Sequence, residues 1–87
     1  MEINVKPNIE IPEVPTSIEV KENACLRDAL CMVVPQVIDE ETGEYKYDPD
    51  IWGISLNEVP MYALKEGLDT QMKEGDTIKV EFMIKFC

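Results

Sequence analysis

The stretch Ala24-Cys25-Leu26-Arg27-Asp28-Ala29-Leu30-Cys31-Met32-Val33-Val34 decides the fold class. Leu26, Ala29, Leu30, Val33 and Val34 recur at the spacing of one apolar stripe on a helix. No other segment of the 87 residues carries that period. Asn23 or Cys25 can serve as the N-cap, the latter with Asp28 in the first turn. Pro35 stops the helix, because it lacks the N–H that continuation needs and biases Val34 towards extended geometry.

The rest of the pattern is strand-like. Ile3 and Val5 alternate with Glu2, Asn4 and Lys6, which predicts a strand with one buried face. Pro7, Pro12 and Pro15 then interrupt, so Ile9 and Ile11 fall in an edge or loop. A second strand is predicted over Thr16–Lys21, a third over Trp52–Leu56 and a short return strand over Val59–Tyr62 after the turn Asn57-Glu58. Residues 63–76 read as loop or a helical turn. From Thr77 to Phe86 the alternation is clean: Ile78, Val80, Phe82, Ile84 and Phe86 face one way, and Lys79, Glu81, Met83 and Lys85 the other. One helix can cover one face of a mixed sheet, and the expectation is an α+β sandwich. The two strongly alternating strands, first and last, suit the centre of the sheet. Trp52, Tyr62, Phe82 and Phe86 are aromatic and could anchor an interface, but Trp52 and Phe82 read more simply as core residues.

Composition sets limits on function. Eighteen acidic against eight basic residues give a formal charge of −10. That field disfavours nucleic acid and anionic membranes and favours basic partners. Residues 39–50 hold Asp39, Glu40, Glu41, Glu44, Asp48 and Asp50 against Lys46 alone, half of the net charge in one loop. Tyr45 and Tyr47 allow a short hairpin arm within it. The loop lacks the ligand phasing of a calcium-binding EF-hand, and a solvated loop is the plainer reading. The opening residues carry no secretory leader pattern, and no apolar run approaches the roughly 20 residues of a membrane span. Three cysteines match no disulfide framework, so a cytoplasmic, reduced chain is expected.

Candidate chemistry is sparse. The chain has no histidine, which excludes Cys–His nucleophilic catalysis within one chain. Cys25 sits near a helix N-terminus, where a thiol pKa can fall, but packing or a weak cap explains it more simply. Cys31 lies off the apolar stripe and reads as a partly buried filler. The C-x5-C spacing fits no zinc motif, and the iron–sulfur spacing of plant-type ferredoxins is missing. Gly67 and Gly75 form no phosphate-binding pattern. No catalytic residue, metal or cofactor is therefore expected.

Three stretches carry a family resemblance. Glu22–Leu30 looks like an entry into a helix, Leu56-Asn57-Glu58-Val59-Pro60 like a strand and turn where Asn-Gly is usual, and Leu68–Ile78 (LDTQMKEGDTI) like the loop before a final strand. Together they resemble the ubiquitin-like β-grasp, and within it the MoaD/ThiS-type sulfur carriers, over about three quarters of the chain. The resemblance implies a mixed sheet of four to five strands packed on one helix. It implies one domain over 1–87, with 39–50 as an insertion. It also implies a carrier whose tail ends in Gly-Gly, because only glycine threads a narrow adenylating site. Phe86 and Cys87 stand where that pair would fall.

Two functions follow as expectations. The first is a non-catalytic accessory subunit that docks on a larger cytoplasmic enzyme through Phe82, Met83, Lys85, Phe86 and Cys87, with the acidic loop as a second contact. An apolar strand end of this kind suggests a covering partner. The second is a sulfur carrier, for molybdopterin or thiamine synthesis or tRNA thiolation, acting through a modified or processed C-terminus.

Overall fold

The computed structural model describes residues 1–10, 12 and 14–83. Its elements run β1 (Glu2–Pro7), β2 (Ser17–Glu19), α1 (Leu26–Val33), β3 (Ile51–Leu56), β4 (Val59–Pro60) and β5 (Thr77–Phe82), with 3-10 turns at Pro35–Val37, Met61–Ala63 and Gly67–Asp69. The five strands form one sheet in the order β2-β1-β5-β3-β4. β1 and β5 are parallel, with Val5 opposite Ile78, and every other pair is antiparallel. β5, which alternates most cleanly in the sequence, is the central strand, with β1 beside it.

The core lies between the sheet and α1. Leu26, Ala29 and Leu30 are fully buried, and Val33 nearly so, as the helical stripe requires. Ile3, Val5, Ile18, Ile51, Ile54, Leu56, Ile78, Val80 and Phe82 meet them from the sheet, and Val34, Val37, Ile38 and Met72 close the ends. Among the described residues no polar or charged residue is buried, so the stability of this core rests on apolar burial.

The helix starts one turn boundary later than Asn23. Cys25 is the N-cap: the Asp28 carboxylate accepts its N–H at 3.0 Å and lies 3.4 Å from its Sγ. Asn23 instead takes a positive φ of 75° in the turn before it. Arg27, on the same first turn, donates to the Gly43 carbonyl and pairs with Asp69 at 2.5 Å. It thereby ties α1 to the acidic loop and to the last 3-10 turn. That loop is a small hairpin, with an Ile38–Tyr45 bridge and Lys46 N–H donating to Val37 at 2.6 Å.

Four expectations need correction. β2 is only Ser17–Glu19: Val20 still bonds Met1, and from Lys21 the chain enters a turn in which Ala24 N–H bonds the Lys21 carbonyl. β4 stops at Pro60, which has no N–H to extend the ladder, and the chain continues as a 3-10 turn. Cys31 is exposed, since it lies on the side of α1 away from the sheet. Trp52 is 59% exposed and not core. The register explains the last case: Ile51 faces Phe82 and Gly53 faces Glu81, so Trp52 is the extra residue of a β-bulge and swings out of the packed face.

Candidate docking site at the exit of the last strand

β5 is clipped at both ends by asparagine side chains that imitate a peptide. At its start, Asn57 accepts the Thr77 N–H at 2.9 Å through Oδ1 and donates to Asp76 at 3.0 Å through Nδ2. At its end, Asn8 Oδ1 accepts the Phe82 N–H at 2.7 Å and Asn8 Nδ2 donates to the Phe82 carbonyl at 3.0 Å. Pro7, the last residue of β1, places Asn8 there, and Asn8 N–H extends the ladder to the Val80 carbonyl at 3.0 Å.

Two further bonds fix the exit from the side of β3. Trp52 Nε1 donates to the Phe82 carbonyl at 3.3 Å, and the Met83 N–H donates to the Asp50 carbonyl at 2.8 Å. The Phe82–Met83 peptide is thus held from both neighbouring strands. Phe82 itself is buried, at 8% exposure, and contributes to the exit through its backbone. Met83, at 48%, and the Trp52 indole remain open to solvent beside it. A half-exposed indole fixed by its N–H and a flexible thioether are suited to filling an apolar pocket on another protein. Lys85, Phe86 and Cys87 lie outside the described residues.

The sequence pointed to Phe82 and Met83, set Trp52 aside as core and missed Asn8 as part of this site. The signal for Trp52 was Gly53, since glycine inside a strand often marks a bulge. Asn8 carried no local signal: its partner is 74 residues away.

Chemistry elsewhere is limited. No group of three or more His, Cys, Asp or Glu among the described residues is placed to hold a metal ion. Partial desolvation of the otherwise exposed side chain, then the nearby Asp28 carboxylate, raises the Cys31 thiol above its usual pKa of 9.0. No described helix is long and apolar enough to cross a membrane.

The structure is similar to the crystal structure of SAMP1 from Haloferax volcanii, with a TM-score of 0.66 at 20% identity over 100% of both chains. The fold is a ubiquitin-like β-grasp. A second β-grasp neighbour is the solution structure of the Haloferax volcanii HVO 2177 protein, with a TM-score of 0.64 at 22% identity, covering 98% of this chain and 85% of that one. No protein-family model matches the sequence, and neither does any curated protein. At these identities the β-grasp is what the neighbours share with the chain.

Proposed function

We propose that the chain is a non-catalytic β-grasp binding protein of the cytoplasm, which docks on a larger enzyme or other protein subunit through the exit of its last strand. The observation that carries this reading is the clip on the Phe82–Met83 peptide by Asn8, Trp52 and Asp50. It holds the strand end in one position with Trp52 and Met83 open beside it. Lys85, Phe86 and Cys87 stay proposed contacts of the same partner, and the acidic loop at 39–50 would supply a second contact if that partner is basic.

The test begins with native mass spectrometry of the protein from its natural source, to identify the stoichiometric partner. Trp52→Ala and Met83→Asp should then each weaken binding to that purified partner about tenfold or more, the range of an interface hot spot. Circular dichroism should stay native, since both side chains are exposed. Unchanged affinity in both variants would sink the proposal.

A second reading is favoured by the SAMP1 likeness together with the MoaD/ThiS resemblance: a small carrier or modifier protein of the sulfur-carrier type. Here the clipped exit would present a modified or processed tail to an adenylating enzyme. Incubation with the cognate adenylating enzyme and ATP separates the two. A carrier forms an acyl-adenylate at its C-terminus, whereas a docking subunit forms a complex and no adenylate.

A further inference from the structure

The outer face of the sheet, away from α1, carries a pair of cations that the fold does not need. Val5, Ile78 and Val80 point into the core, so Lys6, Thr77 and Lys79 point the other way. Lys6 on β1 and Lys79 on β5 are register partners in the parallel ladder. They are the only lysines in the described strands. Like charges side by side on one face of a sheet repel. Nearby acids relieve this little, although the chain holds eighteen of them. Among the described residues no carboxylate pairs with Lys6, and Lys79 makes only a long ion pair, 3.8 Å, with Glu81.

Both lysines line one cleft of about 470 Å³, completed by Pro7, Thr77 and the Asn57-Glu58 turn. The turn residues have positive φ, 50° and 72°. Asn57 fixes the turn to the start of β5, its Oδ1 accepting the Thr77 N–H and its Nδ2 donating to Asp76. The wall beside the lysines is thus in place before any ligand arrives. No hydrogen bond among the described residues engages the Thr77 hydroxyl, which leaves it as a further donor in the cleft.

We propose that this cleft binds a phosphate monoester, a compact oxyanion of about −1.5 to −2 charge at neutral pH. Lys6 and Lys79 would each donate to its oxygens, a use to which lysine is suited as a point charge, and Thr77 would add its hydroxyl. The bound anion would offset the repulsion between the two ammonium groups. Charge also limits the size of the ligand. Glu58 and Glu81 flank the pair, and the whole chain carries −10. A polyanion such as nucleic acid is repelled by that field, whereas one dianion is matched by two cations. The cleft lies over the first half of β5 and the docking exit at its other end, so this inference does not rest on the docking reading above.

The experiment titrates the nitrogen-15-labelled chain with sodium phosphate at constant pH and ionic strength, with sodium chloride as the control. Phosphate should shift the amides of Lys6, Thr77 and Lys79 saturably, with a Kd of about 1–10 mM. Lys6→Gln and Lys79→Gln should each raise that Kd about three- to fivefold, within the range of a surface ion pair, and the double variant should abolish saturation. Because losing one lysine also removes the repulsion, Lys6→Gln should unfold in urea at the same or a higher midpoint. A capped Gly-phosphoserine-Gly peptide identifies the source of the anion. Binding tighter than phosphate assigns it to a phosphorylated side chain of a partner, and equal binding to a free phosphate. Absence of saturable shifts up to about 50 mM phosphate would overturn the proposal. So would shifts that survive in the double variant, or a lower urea midpoint in Lys6→Gln, which would make the pair part of the fold.

Discussion

Replacing Asn8 by alanine should release the end of β5 without unfolding the sheet. Asn8 makes two hydrogen bonds to one residue, at 2.7 and 3.0 Å to the Phe82 N–H and carbonyl. Each is worth about 0.5–1.5 kcal/mol net. Asn8 is itself exposed, so water replaces part of what is lost. The Phe82 carbonyl also keeps Trp52 as a donor. The expected cost is therefore about 1–1.5 kcal/mol, at the low end of the sum for two bonds. Because 1.4 kcal/mol is a factor of ten, native-state hydrogen exchange at the Phe82 amide should quicken about tenfold. The loss should fall on the exit first: amides of Val5 and Ile18, on β1 and β2, should change little. The thermal midpoint should fall by no more than about 12 °C, since a domain of this size moves about 4–8 °C per kcal/mol. Unchanged exchange at Phe82 in Asn8→Ala would refute the clip. Equal acceleration across the whole sheet would refute its local character.

Leu30→Ala should cost about 3 kcal/mol, read from urea unfolding, because Leu30 is fully buried at the centre of the α1 stripe and its removal leaves a cavity. A loss below about 1 kcal/mol would mean that the helix does not pack as described. Cys31 should react with iodoacetamide more slowly in the folded chain at pH 8.5 than in urea, since partial desolvation and Asp28 raise its thiol pKa. The sign for stability follows: the raised pKa favours the neutral thiol in the fold. That contribution is complete below the unfolded value and is lost as pH rises through the folded one. Faster labelling in the folded state would contradict it.

The elements whose chemistry is local were legible in the sequence. The stripe from Leu26 to Val34 defined the helix and its buried face, and the alternation from Ile78 to Phe82 defined β5 and, with β1, the centre of the sheet. What escaped was set by partners distant in sequence. Trp52 reads as core by residue type, yet the bulge is a property of two strands counted against each other, and no single strand shows it. β2 reads as six residues by alternation, but as a strand it spans only three, and from Lys21 the chain is in the turn closed by Ala24 N–H. The candidate site was half legible for the same reason. Phe82 and Met83 follow from the strand pattern. Asn8 becomes part of the site only when β1 and β5 are laid side by side. The tail residues Lys85, Phe86 and Cys87, which the sequence also nominated, lie outside the described residues.

The parallel pairing of β1 with β5 has a mechanical consequence. Tension applied between the start of β1 and the end of β5 pulls the two strands past each other along their length. The ladder from Asn4–Thr77 to Pro7–Val80 then carries the load in shear, all bonds sharing it, where an antiparallel hairpin pulled from its open end would peel one bond at a time. The strand that presents the exit is thus braced against a pull on the segment that follows it. A partner that draws on that segment would load the β1–β5 ladder in shear.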